Sequence, residues 1–469
     1  MERDYEEFDK EETELRINRF ESLLSEGKIP YLDIEELEDI IDLYFQRRNY
    51  KRVEEAIQLA LQIHPEYLGF NIRKARLLEV NKQYYQALEL LNRLKSIEPA
   101  NYEIFEIMGV VYSSMKKYRK SIQNFIEAVD LGADLIENYY AIAFDYQSLM
   151  EYDKSVEYLT KILEADPEDE GALYEILFCY EISDQSEKSV AFFETYCENH
   201  PYSAIAWFNL GISYSNIGLY EKAIDAYDYT TAIDERFASA YFNKANALIN
   251  LEKYGEAIEQ FKETFEFEEP DFLTYIFIGQ CYENLDNYAD ALRSYHKSIE
   301  LNDKQPEAWI NIGMIYEENK EYEKALPYVQ EAVRLQPENY EFQHILGDIY
   351  YQNMNLEQAY AVYKKVADEN PENADVWFDL GCLLEDMDDT DQAFQILYKA
   401  LTINNKNHKV IYKLFELFYS KAELQKAYSY LDEALNIDYY DCVSLLSDRK
   451  EYLLDSRVIE LLENYKPYH

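Results

Sequence analysis

The chain has 469 residues, 92 of them acidic against 45 basic, for a net charge of −47. Such a field repels nucleic-acid phosphates and anionic membrane surfaces. Charged residues also interrupt every apolar run well short of the ~20 residues that a membrane span needs.

Residues 5–26 place Phe8, Leu15, Phe20, Leu23 and Leu24 among many charges and end at Gly27, which predicts a leading helix. The first ten residues lack the basic start and apolar stretch of a signal peptide, so a cytoplasmic protein is expected. From Ile34 the sequence repeats every 34 residues, twelve times, with no insertion or deletion. Repeats begin at residues 34, 68, 102, 136, 170, 204, 238, 272, 306, 340, 374 and 408. Position 8 of each is mostly small, as in Ala75, Gly109, Ala143, Gly211, Gly279, Gly313, Gly347 and Gly381. Position 20 is small throughout the middle and end, from Ala87 and Ser121 to Ala393 and Ala427. A period of this length predicts a solenoid in which each repeat touches only its neighbours.

Within a repeat the apolar positions are 4, 7, 8 and 11, then 17, 20, 21, 24 and 27 or 28. Both sets are stripes on one face of an α-helix. A polar elbow separates them, and proline at position 32 (Pro65, Pro99, Pro167, Pro201, Pro337, Pro371) stops the second helix. Each repeat is therefore predicted as helix A, turn, helix B, stop. Small residues at positions 8 and 20 are expected to let the two helices cross closely. Tyrosines at position 11 (Tyr44, Tyr112, Tyr146, Tyr180, Tyr214, Tyr282, Tyr316, Tyr350) and at position 17 fill the groove around that crossing. Pro327, inside helix B of repeat nine, is a candidate kink. Past residue 441, Leu445 and Tyr452 keep positions 4 and 11 while Asp448 and Arg449 occupy 7 and 8, predicting a degenerate cap. The expected division is thus a cap over 1–33, twelve repeats over 34–441 and a cap over 442–469.

Repeat six reads Trp207-x-x-Leu210-Gly211-x-x-Tyr214, then Ala223 and Tyr227; repeat nine reads Trp309-x-x-Ile312-Gly313-x-x-Tyr316, then Ala325, Ala332 and Pro337. This pattern resembles the tetratricopeptide repeat (TPR) family over residues 34 to about 441. The composition, rich in Tyr, Ile, Asn and Glu and poor in Gly, is similar to that of bacterial repeat proteins. The resemblance implies an all-α fold, a right-handed superhelical α-solenoid closed by capping helices. Repeat five departs from the pattern, with Leu177 at position 8 and Ser186 at 17.

In that family the A helices line an inner, concave wall with positions 2, 5, 9, 12 and 13. The wall here is aromatic and aliphatic from repeat four to repeat nine. The expected partner-binding residues are Tyr140, Phe144, Tyr174, Phe178, Phe208, Asn209, Ile212, Phe242, Asn243, Asn246, Ile276, Ile310 and Met314. Both ends turn acidic: Glu35, Glu38 and Asp42 at the start, then Glu317, Glu318, Glu341, Asp348, Asp375, Glu385, Asp386 and Glu416. An accessible apolar strip of this length marks an interaction site, although aromatic side chains at position 5 can also bury against the next repeat. Asparagines at positions 6 and 13, such as Asn209, Asn243 and Asn250, can both donate to and accept from a peptide backbone. Those at position 13 are explained equally well as solvated helix ends.

Enzyme chemistry finds no support. The six histidines show no His-x-x-x-His spacing, and no phosphate loop or nucleophile elbow is present. Five scattered cysteines (Cys179, Cys197, Cys281, Cys382, Cys442) contain no Cys-x-x-Cys pair, so neither a disulfide framework, a metal nor any other cofactor is expected. The expected function is a protein-binding adaptor, a monomer or weak homodimer. It would take a peptide or partner helix with an apolar centre and basic flanks, and neither nucleic acid nor a membrane. Self-association into a structural assembly is the alternative, and occupation of the groove by the chain's own Tyr465-Lys466-Pro467-Tyr468 tail is a third.

Overall fold

The computed structural model describes residues 20–21, 32–449 and 451–466. The remainder of the expected leading helix, including Phe8, Leu15, Leu23, Leu24 and Gly27, lies outside the described residues, as do Pro467 and Tyr468 of the tail. Among the described residues there are 26 α-helices, two short 3₁₀ turns and no strand. The chain is an all-α solenoid.

Two compact bodies are formed, Met1–Ala247 and Leu248–His469. In the first, helices A and B alternate as α1 (Ile34–Gln46), α2 (Tyr50–Ile63), α3 (Leu68–Val80), α4 (Tyr84–Ile97), α5 (Tyr102–Ser114), α6 (Tyr118–Asp130), α7 (Leu135–Ser148), α8 (Tyr152–Ala165), α9 (Glu170–Ile182), α10 (Ser186–Asn199), α11 (Ala204–Asn216) and α12 (Tyr220–Ile233). The division falls within α13 (Ala238–Asn250). The second body continues with α14 (Tyr254–Glu263), α15 (Phe272–Asn284), α16 (Tyr288–Leu301), α17 (Pro306–Glu318), α18 (Tyr322–Leu335), α19 (Tyr340–Gln352), α20 (Leu356–Glu369), α21 (Ala374–Asp386), α22 (Thr390–Ile403), α23 (His408–Ser420) and α24 (Leu424–Ile437). It ends with α25 (Tyr439–Asp448) and α26 (Ser456–Tyr465). Helix α18 runs unbroken through Pro327.

Local chemistry sets each boundary. Asp, Asn or Ser side chains cap most of the A helices, as where Asp33 accepts from the Glu36 amide at 2.8 Å and Asp169 from Ala172 at 2.8 Å. At the elbow the fifteenth residue of every repeat has positive φ, from Arg48 at 55° to Ala422 at 58°. The next amide then reaches back to the carbonyl of position 11, as in Asn49 to Tyr44 at 2.9 Å and Glu321 to Tyr316 at 2.8 Å. This six-to-one closure satisfies carbonyls that the helix end would leave orphaned. Gly218 is the one glycine among these elbow residues.

The small column at position 8 does more than admit the residue at position 20. A Cβ on Gly211 would lie 2.4 Å from the Tyr227 ring, on Gly279 2.5 Å from Tyr295 and on Gly347 2.4 Å from Tyr363. The missing side chain therefore seats the large residue of position 24, where a pairing with position 20 alone was expected. Position 20 still touches: Ser121 Oγ donates to the Gly109 carbonyl at 2.8 Å. Tyrosines at position 11 lie under the lysine of position 19 in several repeats, as Tyr112 under Lys120 and Tyr214 under Lys222. At the C-terminal end Tyr452 packs edge-on against Phe415 at 5.2 Å, and Asp455 accepts from the hydroxyls of Tyr419 and Tyr428.

Candidate functional site

Consecutive A helices in the first body are tied side by side by polar contacts one repeat apart. Ser113 of α5 donates to Asp145 of α7 at 2.6 Å, and Gln147 of α7 donates to Glu175 of α9 at 2.8 Å. Asn209 of α11 donates to the Leu173 carbonyl of α9 at 3.0 Å. Equivalent positions of neighbouring repeats therefore share one face.

On that face position 9 stands open. Val110, Phe144 and Phe178 are 41, 45 and 46 % exposed, and Tyr174 at position 5 is 44 % exposed. Tyr140 stacks on Phe144 with centroids 5.9 Å apart and gives its hydroxyl to Asp169, the cap of α9. Burial and this carboxylate push the Tyr140 phenol well above its ordinary range.

Further along, the expected strip closes. Phe208 is buried against Phe237 at 4.8 Å and Tyr227 at 6.0 Å, and Asn209 is wholly buried in its bond to Leu173. Ile212, Phe242, Asn243 and Asn246 are half-buried. In the second body Ile276 and Ile310 are buried, while Met314 is exposed. Four of the thirteen expected residues are thus core: Phe208, Ile276 and Ile310, because position 5 in these repeats turns toward the packed interior, and Asn209 beside Phe208 at position 6. Phe144, Tyr174, Phe178 and Met314 are exposed, and Tyr140 is half-buried beside Phe144.

The acidic ends divide in the same way. Glu38 and Asp42 do not stand free: Arg73 bonds both, at 2.6 Å each. Arg76 lies over the Phe45 ring. Asp42, Arg73 and Arg76 line a cavity of about 760 Å³ that also includes Glu106, whose carboxyl is pushed up by burial although Asn138 donates to it at 2.8 Å. In the second body Glu385 and Glu416 are paired with Lys413, and Glu416 also with Arg449. A second cavity, about 600 Å³, lies between α17, α19 and α21 and is lined by Met314, Glu317, Glu318, Asp348 and Asp379. Burial, then the charges of Asp348 and Glu318, push the Glu317 carboxyl up. His344 was read in the sequence only as one position in the wall. It brings Nε2 to 2.8 Å from Asp379 and 3.7 Å from Asp348. These three are the one group of possible metal ligands among the described residues.

Tetratricopeptide repeat family models match residues 136–169, 192–225, 238–268, 273–305, 306–339, 340–373 and 362–395. The chain is a multi-TPR protein. No curated protein matches it. Among solved structures, this TPR protein is similar to the C-terminal part of a TPR repeat-containing protein from Cytophaga hutchinsonii. That match has 15% identity and a TM-score of 0.46, and covers 54% of this chain and 99% of the other. It is also similar to the APC/C hetero-tetramer Cut9-Hcn1, at 14% identity and TM-score 0.38 over 84% and 96% of the two chains. MamA from Desulfovibrio magneticus RS-1 matches at 24% identity and TM-score 0.34, over 36% of this chain and 96% of the other. TPR repeats generally mediate protein–protein interaction. Among the described residues of the TPR protein, no helix is long and apolar enough to cross a membrane.

Proposed function

We propose that this TPR protein is a non-catalytic cytoplasmic adaptor that binds an extended protein segment across the A-helix face of its first body. The observation that carries this reading is the open column Val110, Phe144 and Phe178, with Tyr174 beside it. Three apolar side chains at one repeat position, each two-fifths or more exposed, form a row that a partner's alternate side chains can straddle. Covering the open part of each side chain contributes on the order of 1 kcal/mol. Acidic residues around the row, among them Glu106 and Glu175, favour basic residues flanking the apolar centre of the partner.

A photo-crosslinking phenylalanine at position 178 should capture a segment that mass spectrometry can map. The same label at Tyr202, an exposed residue of the connection before α11, should not capture it. The mapped peptide should bind the wild-type chain and lose at least ten-fold in affinity to Phe144→Asp with Phe178→Asp, by fluorescence polarisation. Its affinity should also fall between 0.05 and 0.5 M NaCl, as screening removes the contribution of its basic flanks. Equal binding by the double variant and the wild type would discard this face as the site.

A further inference from the structure

We propose that His344, Asp348 and Asp379 form a binding site for a single divalent transition-metal ion, Zn²⁺ by its chemistry, on the second body. The ligand atoms of the three lie within 4.8 Å of one another. His344 Nε2 is 2.8 Å from Asp379 Oδ2 and 3.7 Å from Asp348 Oδ1. Metal–ligand bonds of ~2.1 Å at a tetrahedral angle place ligand atoms about 3.4 Å apart. The two measured spacings straddle that value, so a bound ion needs an opening of about half an ångström on the Asp379 side.

The donors stand on two helices. His344 and Asp348 are one turn apart on α19, and Asp379 comes from α21, 35 residues beyond His344. One of them is held in place from behind. Tyr363 donates its hydroxyl to Asp348 Oδ1 at 2.5 Å, and its fully buried ring is seated against Gly347. A carboxylate oriented by a locked phenol is the kind of outer contact that fixes a metal ligand. His344 packs edge-on against the same ring, with centroids 5.8 Å apart.

The three side chains are 23 to 35 % exposed, and the cavity lined by Asp348, Asp379, Glu317 and Glu318 gives an ion a route in and leaves coordination positions open. One imidazole nitrogen with two carboxylate oxygens suits a borderline ion such as Zn²⁺, whereas Ca²⁺ and Mg²⁺ favour oxygen alone. A bound ion would cross-link repeats ten and eleven and offset part of the negative charge of the cavity.

The test is calorimetric titration of ZnCl₂ into the full chain, stripped of metal, in 0.15 M NaCl with 5 mM MgCl₂ to occupy the scattered surface carboxylates. One equivalent should bind per chain, and Co²⁺ should give visible d–d absorption in its place. His344→Gln and, separately, Asp379→Asn should each weaken Zn²⁺ binding at least ten-fold while keeping the far-UV circular dichroism of the wild type. His408→Gln should leave binding unchanged, since His408 has only Asp441 at 2.6 Å and belongs to no three-ligand group. No saturable binding by the wild-type chain would overturn the proposal. So would titrations unaltered by either His344→Gln or Asp379→Asn in a variant that keeps its fold.

Discussion

A single missing side chain governs the closest contact in the helix pairs that carry glycine at position 8. Gly211 and Gly347 face the rings of Tyr227 and Tyr363, which have almost no exposed surface and no room to retreat. Gly211→Ala is therefore expected to destabilise the first body by about 1–3 kcal/mol, the usual penalty for overpacking a filled core. Gly255 gives the contrast. It lies in the first turn of α14 with nothing within 4 Å of an added Cβ, so Gly255→Ala should stabilise by roughly 0.5–1 kcal/mol. Urea unfolding of the two variants checks both signs, and equal effects would show that the Tyr227 ring yields freely. Burial also decides which aromatic residues can be probed. Phe208→Asp would place a carboxylate in the core beside Tyr227 and Phe237, and its loss of binding would report unfolding. Phe144→Asp and Phe178→Asp act on exposed rings and should each change stability by less than about 0.5 kcal/mol.

At the scale of the helix pair, the elbow stores strain that the sequence hides. Met150 and Met354 hold left-handed φ values of 59° and 58° and are 78 % exposed, so their side chains gain little from packing. Left-handed geometry costs an L-residue roughly 1–2 kcal/mol, partly offset for glycine by its greater freedom when unfolded. Met150→Gly is expected to stabilise by about 0.5–1 kcal/mol and Gly218→Ala to destabilise by a similar amount, as read by thermal or urea melts. A destabilised Met150→Gly variant would contradict this account of the elbow. These residues also show where the sequence was legible. The period, the two amphipathic stripes and the proline stops fixed the helices, because each is a local property repeated in phase. Column 24, large from Ile57 through Tyr227 to Leu431, was equally visible, but its seat against position 8 required the actual helix crossing. The elbow was illegible because Arg48, Lys82 and Glu252 carry no signal for positive φ. Four of the thirteen candidate residues are core for a related reason. A position within a repeat gives the face of a helix but not how far the neighbouring repeat has turned over it, and that decides whether Phe208 is core or Tyr174 is surface. His344, Asp348 and Asp379 escaped a search for His-x-x-x-His because their pattern is His-x-x-x-Asp plus a residue one repeat and one position further on.

Over the whole molecule the excess of 92 acidic over 45 basic residues sets how stability responds to solution conditions. Self-repulsion at net charge −47 opposes the compact state, and neutralising part of it should relieve that opposition. Several buried or half-buried carboxylates act in the same direction. Asp145 is buried with only the Ser113 and Ser121 hydroxyls as polar partners, and one of its oxygens has no hydrogen-bond partner. Burial pushes its carboxyl up. Glu106, facing Asn138 and repelled by Glu103, Glu137 and Asp134, is pushed up by burial first and by those charges second. Glu283, facing the Tyr295 hydroxyl and repelled by Glu318, is pushed up by burial as well. For each of these groups the folded chain holds a proton more tightly than the unfolded chain. Between the unfolded and folded pKa values the native state binds more protons, so stability rises as the pH falls through the folded pKa. Glu151, Glu331, Asp391 and Asp455 are shifted down and oppose this, but their loss comes only as the pH passes below the ordinary carboxylate range. Scanning calorimetry should therefore show the first unfolding transition moving to higher temperature from pH 7.5 to 5.5 in low salt. At pH 7.5, raising NaCl from 0.02 to 0.5 M should move it the same way, because screening weakens the same repulsion. The pH effect should shrink in 0.5 M NaCl to the part owed to carboxyls shifted chiefly by burial, which is not screened, among them Asp145, Glu106, Glu283, Glu317 and Asp348. A transition that falls between pH 7.5 and 5.5 would mean that paired surface carboxylates outweigh both the net charge and these buried groups.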